Sequence, residues 1–396
     1  MNIKILKFGG TSLANNYKLS NVANIIKAHM DINSKIIVVV SAKAGHTNEL
    51  IARISEIQGT NYIDIDKEYD AALASAENLS ASLLSITLKL INIKAQSLQA
   101  WQVPIFTDNN FGKSKIIKIG NEKILSLLNQ NIIPIITGFQ GVTEQYDITT
   151  LGRGGSDTTG AAVASSLNAN ICYIYTDVDG VYSGDPRIIK NAKKLTRISY
   201  EEMLEFADSG AKVITSRAVR ICMNALIPIE IKSSFEEIEG TLITSEEKIM
   251  EKSKITGITN NSDIAVIYLY SEYKENIEII SQLSESNIHL ISIIYHQDNT
   301  EIIIPLSEYN VAISKLENIK TKYDIRTNLS LVSIIGRGIK HDSQIVSKIL
   351  SYLKTLEINI HSFISSEFKV SILIEESYAS QLQINFHSEF IENEIF

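Results

Sequence analysis

At 396 residues the chain is longer than one hydrophobic core usually organises, so two or three domains are expected. A net charge of −8 with a pI near 5.5 excludes a protein built mainly to grip a phosphate backbone, which needs a concentrated basic face, and no nucleic-acid partner is expected. With 44% hydrophobic and 21% charged residues the composition is that of a globular chain, no segment approaches the ~18 uncharged apolar residues of a membrane span, and no membrane partner is expected.

Met1 to Lys7 alternates charged and apolar residues in the manner of a strand. It lacks the apolar run and small-residue cleavage site of a secretory leader, so a cytoplasmic location is expected. Over residues 1–245 apolar runs of strand length alternate with segments of helical period, the pattern of an α/β domain with a buried, mainly parallel sheet. The strand-like runs are Ile3 to Phe8, Ile36 to Val40, Ile132 to Ile136, Ile171 to Thr176 and Pro228 to Ile231. The helical segments are Asn16 to Met30, Asn48 to Gln58, Asp64 to Leu90, Ser156 to Leu167 and Thr215 to Asn224. Cys172 and Cys222, the only cysteines, are too few for a disulfide framework, and no Cys/His cluster has metal-ligand spacing. Both thiols are expected to be buried and reduced.

Residues 246–254 read as a charged linker, since most of them are Glu or Lys. Beyond it the order strand, helix, strand, strand, helix, strand occurs twice, giving two small α+β modules at 255–325 and 326–396. Glu285 to Ser292 answers Glu357 to Ile364, each copy carrying Asn-Ile-His between an amphipathic helix and an apolar strand. The tail contains no catalytic constellation.

Three segments of the first domain carry chemistry. Lys7-Phe8-Gly9-Gly10-Thr11-Ser12 lies where the first strand ends; consecutive glycines let backbone N–H groups approach phosphate oxygens, and Lys7 supplies a point charge. The alternative is a plain glycine turn with a solvated lysine. Thr149 to Thr159 sets Arg153 among Gly152, Gly154 and Gly155, ahead of Ser156, Asp157 and a small-residue helix, which suits bidentate capture of a carboxylate. Read as structure alone, Ser156 or Asp157 is an N-cap and Arg153 a surface residue, which leaves the surrounding glycines unexplained. Thr176 to Arg187 leaves the carboxyl end of a parallel strand, where open sheets bind ligands, and Tyr182 with its polar turn suits a nucleotide. A calcium loop is excluded there, because Gly180 arrives two places early and Ile188 stands where a bidentate Glu belongs. Thr107 to Ser114 ends like a P-loop but has Thr107 in place of the first glycine and no clean strand before it, so it reads as an ordinary loop.

Together, and in this order, the three segments resemble the aspartate kinases of the amino-acid kinase family. Val39-Val40-Ser41-Ala42, Thr47-Asn48-Glu49-Leu50 and Gly138-Phe139-Gln140-Gly141 are similar to further motifs of that family, and the doubled tail is similar to its paired ACT domains. The resemblance implies a three-layer α/β/α kinase domain with a mainly parallel sheet, followed by two ferredoxin-like (βαββαβ) ACT domains. It implies transfer of the γ-phosphoryl group of ATP to the β-carboxylate of L-aspartate, a first step towards lysine (through diaminopimelate), threonine and methionine. On that basis Lys7, Gly9, Gly10 and Ser12 are expected at the phosphates, with Lys212 reaching them from the opposite side. Thr176, Asp177, Tyr182, Asp185, Pro186 and Arg187 are expected at the nucleotide. Ser41, Thr47, Glu77, Arg153, Gly154, Gly155, Ser156 and Asp157 are expected at the amino acid, Arg153 holding the α-carboxylate and Glu77 the ammonium group. Lys7, Arg153, Asp157 and Lys212 form the implied catalytic set. A carboxylate with a reference pKa near 3.9 is already ionised and needs no general base, and Mg²⁺ is expected on the nucleotide phosphates rather than in a protein cage.

Acetylglutamate, glutamate and UMP kinases share the phosphate machinery, but the doubled tail and the Arg153 segment favour aspartate. An amino-acid sensor that keeps the fold without activity is the alternative from another class, and the retained charged set weighs against it. The sequence departs from the family in two places. Ala76 precedes Glu77 where a glycine is usual, and neither Tyr270 to Asn276 nor His341 to Gln344 contains the Pro or Gly of an ACT effector loop. Feedback inhibition by lysine or threonine, dimerisation alone, and sensing of another ligand therefore stay open for the tail; Asp342 suits an N-cap there. A homodimer or higher oligomer through the ACT domains is expected. Met250 suggests an internally initiated tail-only subunit, and no homoserine dehydrogenase module is expected after the tail.

Overall fold

Runs of Ile and Val in the first domain form strands that are buried on both faces, as a parallel sheet covered by helices requires. The computed structural model describes residues 2–58, 66–245, 255–286, 288–317, 321–339, 343–356 and 358–393. The first unit comprises the described residues of Met1–Val181, Lys194–Ala207 and Lys212–Met250; the second comprises those of Tyr182–Lys193, Asp208–Ala211 and Glu251–Phe396. The predicted linker and Met250 lie outside the described residues, as do Asp64 and Asp342.

The strands of the first unit are β1 (Asn2–Phe8), β2 (Ser34–Val40), β3 (Ala95–Leu98), β4 (Ile105–Thr107), β5 (Ile116–Ile119), β6 (Ile133–Thr137), β7 (Gln140–Val142), β8 (Ile148–Thr150), β9 (Ile171–Thr176), β10 (Arg197–Ser199), β11 (Ile229–Ser233) and β12 (Thr241–Thr244). Its helices are α1 (Asn16–Ala28), α2 (His46–Gln58), α3 (Lys67–Leu90), α4 (Glu122–Asn129), α5 (Gly155–Ser166), α6 (Tyr200–Asp208) and α7 (Ser216–Asn224). Eight strands make the main sheet in the order β10-β12-β11-β9-β1-β2-β6-β3, every pair parallel except β11 with β12. The long apolar runs were legible in the sequence; β3, β10, β12 and the small sheet β5-β4-β7-β8 are three or four residues each, too short to show a period.

Alternation along β1 decides what each face holds. Leu6 and Phe8 pack with Val22 and Ile26 of α1 and Leu84 and Leu88 of α3. Lys7, between them, faces α5, where a Cβ added to Gly160 would lie 3.3 Å from the lysine Cβ. The helix can come that close because its buried residues are nearly all small: Gly160, Ala161, Ala162 and Ala164. Asn15 and Asp66 cap α1 and α3 by accepting from Lys18 N–H, and from Glu68 and Tyr69 N–H. By length and composition α3 is apolar enough to cross a membrane, although every 18-residue stretch of it contains Glu77; half of that apolar window is buried, with Leu84 and Leu88 in the core.

The second unit contains β13 (Gly257–Asn261), β14 (Ile264–Leu269), α8 (Tyr273–Glu285), β15 (Ser292–Tyr295), β16 (Thr300–Pro305), α9 (Tyr309–Leu316), β17 (Tyr323–Arg326), β18 (Leu329–Ile335), α10 (Ser343–Thr355), β19 (Ser362–Ser365), β20 (Lys369–Glu375) and α11 (Ala379–His387). One antiparallel sheet, β15-β16-β14-β17, uses its strands in the ferredoxin-like arrangement. The other, β13-β18-β20-β19, borrows its outer strand from before the first module, so the first module is an insertion within the second. Patterning along the chain suggests two modules in tandem because strand pairing leaves no local trace. The Asn-Ile-His match is also displaced by two residues: Ser292 pairs with Ile303, but Ser362 pairs with Leu373. Ile264, Val266 and Ile303 of one sheet bury against Leu329, Leu331 and Leu373 of the other.

β13 covers an edge of β18 from Leu331 to Ile335 that would otherwise present unpaired backbone on a strand buried throughout. A fragment beginning at Met250 should therefore remain dispersed, whereas one beginning at Ser262 should aggregate at the same concentration in light scattering. Equal dispersion of the two fragments would show that β13 is dispensable.

Candidate active site

Lys7 Nζ lies 2.6 Å from Asp157 Oδ1, with side chains only 9% and 12% exposed. Asp157 sits in the first turn of α5, where the helix field favours an anion. A dry ion pair gains little net stability once desolvation is counted, so its retention at a strand end points to chemistry. The cap reading of Ser156 or Asp157 is not met: Gly154 is the N-cap, at φ 67°, and no side chain closes the helix.

The turn after β1 is built on close backbone approach. Gly9 N–H donates to Tyr175 O at 3.0 Å, and Ala44 N–H donates to Gly10 O at 3.1 Å. A Cβ on Gly10 would fall 2.4 Å from Ala42 O, so no other residue fits without moving the backbone. A Cβ on Gly9 would stand 3.8 Å from Lys7 Nζ, in the space around the ammonium. Ser12 is buried, its hydroxyl 2.7 Å from Ser234 Oγ, and Ser234 Oγ donates to Thr176 O at 3.1 Å. This seam ties the turn to the ends of β9 and β11.

At the end of β2, parallel neighbour of β1, Ser41 N–H donates to Phe8 O at 3.1 Å and Ala42 N–H donates to Glu77 Oε1 at 3.1 Å. Glu77 is 3% exposed, and its Oε2 is buried with no hydrogen-bond partner among the described residues. Burial pushes its carboxyl up to about 8, against the Ala42 donor that pulls it down. Ala76 lies inside α3, where a helix needs no glycine freedom, so its departure from the family pattern leaves the backbone undisturbed. Thr47 is half-buried in the first turn of α2.

Arg153 is exposed and makes no hydrogen bond or ion pair among the described residues. Gly154 beside it is obligatory, since a Cβ would meet Thr215 Cγ2 at 1.9 Å. Gly155 N–H donates to Gly152 O at 2.9 Å, and Ser156 packs so closely on Gly138 that a Cβ there would be 2.7 Å away. Thr176 donates its hydroxyl to the exposed Asp177 at 3.1 Å. Tyr182, Asp185, Pro186 and Arg187 belong to the segment that groups with the second unit, where the Arg187 guanidinium, 2.6 Å from Asp185, holds that carboxyl below its usual range. Lys212 is exposed, ahead of α7.

The first unit thus links Lys7 to Asp157, Gly10 to Ala42, and Ala42 to Glu77. Two charges went unnoticed in the sequence, the buried Asp70 and the half-buried Arg217. The one available signal was spacing: Asp70 and Glu77 stand seven apart, on one buried face of α3. The P-loop look-alike follows a strand after all, the short β4, but one that pairs in the small sheet.

A model of the amino acid kinase family matches residues 2–233. An aspartokinase of Rickettsia felis is 41% identical to this chain, covering 98% of it and 99% of that protein. An aspartate kinase of Pseudomonas putida is 36% identical and covers 98% of each chain. Among solved structures, aspartokinase III of E. coli in complex with aspartate and ADP matches with a TM-score of 0.85 at 24% identity, covering 98% of this chain and 99% of that one, a likeness of fold.

The raised Glu77 carboxyl gives stability a pH dependence of definite sign. Its folded value of about 8 exceeds the ordinary 4.5, so the folded chain holds an extra proton between them. Its contribution is complete below 4.5 and is lost as pH rises through about 8. Between about pH 6 and about pH 9 the urea midpoint of Glu77→Gln should fall less than that of the parent. Parallel declines would mean that Glu77 does not titrate there.

Proposed function

The chain belongs to the aspartate kinases of the amino acid kinase family, and on that premise we propose that it transfers the γ-phosphoryl group of ATP to the β-carboxylate of L-aspartate, giving 4-phospho-L-aspartate and ADP. The observation that carries this reading is the unpartnered Oε2 of Glu77, a buried acceptor at the end of β2 next to the strand end that bears Lys7. A substrate ammonium group supplies the donor that Oε2 lacks. Arg153, exposed and uncommitted among the described residues, then takes the α-carboxylate through two parallel hydrogen bonds. With both ends of the amino acid held, the remaining carboxylate is the group left to attack.

Catalysis on this reading is positioning and charge neutralisation. Lys7 and Lys212 offset charge on the transferring phosphoryl group, and Asp157 holds the Lys7 ammonium in place. Gly9 N–H is committed to Tyr175 O, so Gly10 is the proposed phosphate-facing donor, while Gly9 keeps the space over the ammonium open. Ser41, Thr47, Gly154, Gly155 and Ser156 shape the amino-acid subsite, and Thr176, Asp177, Tyr182, Asp185, Pro186 and Arg187 are assigned to the nucleotide. Mg²⁺ fits as a companion of ATP: among the described residues no three His, Cys, Asp or Glu side chains converge, so phosphate oxygens and water must supply most ligands, with Asp157 the carboxylate at hand. When bound, it neutralises phosphate charge.

Regulation is the second part of the proposal. In the second unit a cavity of about 370 Å³ is lined by Tyr268, His296, Asn299, Glu301, Arg326 and His361, among others. Buried Glu301, whose oxygens accept from Ser362, stands with Asn299 Oδ1 and the Tyr268 hydroxyl, which have no hydrogen-bond partner among the described residues; together they offer acceptors for an ammonium group, and Arg326 offers a cation for a carboxylate. An amino acid, lysine or threonine, suits that pairing. Assembly into a homodimer or higher oligomer is assigned to the same unit, where the edge strand β15 exposes Ile293 and Tyr295.

ADP release should depend on L-aspartate; no turnover with aspartate while glutamate or UMP supported it would overturn the assignment. Lys7→Met should lower kcat by roughly 10²- to 10³-fold. Because ammonium binding needs ionised Glu77, the KM for aspartate should rise as pH falls below about 8, and Glu77→Gln should abolish that dependence while raising KM. Lysine or threonine should inhibit turnover, and a titration finding neither binding nor inhibition would dispose of the effector.

A further inference from the structure

We infer that Asp70 and Arg217 are positioning residues that set the Arg153 loop, and through it the affinity for the amino-acid substrate. The inference rests on the assignment of Arg153 to the substrate carboxylate.

Asp70 is fully buried on α3. Gly112 N–H donates to both of its oxygens, at 2.9 and 3.1 Å; Thr150 N–H donates at 2.6 Å and the Thr150 hydroxyl at 2.7 Å. A buried carboxylate is costly unless it is satisfied in this way, and here the donors come from the Gly112 loop and from Thr150 at the end of β8, three residues before Arg153. Burial pushes the Asp70 carboxyl up, while Gly112 and Thr150 pull it down. From the other side, Arg217 of α7 donates through Nη1 to Leu151 O at 3.1 Å and through Nη2 to Ser114 O at 2.8 Å. Ser114 N–H donates in turn to Thr150 O at 2.9 Å.

Thr150 and Leu151 are therefore gripped immediately before the loop turns. Gly152 follows at φ 76°, with space for a Cβ closed by Gly112 O at 3.0 Å. On the far side Gly154 is seated against Thr215. Between these anchors only the Arg153 side chain is uncommitted among the described residues. The segment Thr107 to Ser114, which imitates a phosphate-binding loop, works instead as the strut of this frame. Asp70 also joins the frame to α3, the helix that carries Glu77, so the two charges assigned to the amino acid are held from one element.

The test is steady-state kinetics of the full-length enzyme carrying Asp70→Asn, Thr150→Val, Arg217→Gln or Arg217→Lys, with Arg153→Ala as reference. Asp70→Asn turns an amide N–H toward N–H donors, and Arg217→Gln removes the paired donors. Each should raise the KM for aspartate about tenfold while the KM for ATP stays within about twofold, and Arg217→Lys should recover part of the loss. Thr150→Val, nearly isosteric, carries the test should Asp70→Asn fail to fold. An effect of Arg153→Ala on the aspartate KM with none from the frame variants would overturn this inference alone, as would an equal rise of both KM values. No effect of Arg153→Ala would overturn the substrate assignment, and this inference with it.

Discussion

The ion pair between Lys7 and Asp157 joins the end of β1 to the first turn of α5, and much of the surrounding structure is what keeps two charges dry and in contact. Strand alternation turns Lys7 away from the α1/α3 core and toward α5. The helix approaches because it is made of Gly and Ala where it faces the sheet, and it arrives by its positive end. Replacing any of these features separates the charges or leaves one of them buried alone, the costlier outcome. The pair is thus held by packing rather than by its own attraction.

Glu77 presents the complementary case. It is as buried as Lys7, yet Ala42 N–H donates to one oxygen and the other has no partner among the described residues. A fold does not keep such a group for stability, since the burial that raises its pKa is a cost borne by the folded state. Asp70, two turns earlier on the same helix, shows what full satisfaction looks like: its oxygens meet donors from the Gly112 loop and from the end of β8. The contrast between a saturated and an unsaturated carboxylate on one face separates a part of the frame from a place for a ligand.

In the second unit the constraint is the strand edge. β18 is buried along its length and needs a neighbour on each side; β20 supplies one and β13 the other. Since β13 precedes the first module, the two modules are nested, and their sheets share a buried seam through Val266, Ile303, Leu331 and Leu373. Ser362 adds a polar tie by donating to both oxygens of Glu301 across that seam.

What the sequence determined by itself was local. Apolar runs located the central strands to within a residue or two, helical period located α1, α3, α5 and α7, and the glycines around Lys7 and Arg153 marked backbone that must approach closely. Glu77 came only from likeness to a family, because nothing in its neighbours distinguishes it from a surface charge, whereas the glycines around Arg153 marked it and Asp157 and the likeness supplied their roles. Only the tertiary structure decided that Asp157 answers Lys7 across 150 residues, that Asp70 and Arg217 brace the arginine loop, and that β13 closes the second sheet rather than the first. Periodicity is a property of one segment in water, whereas the partner of a buried charge or a strand edge is chosen by which distant segments the core brings within hydrogen-bond reach.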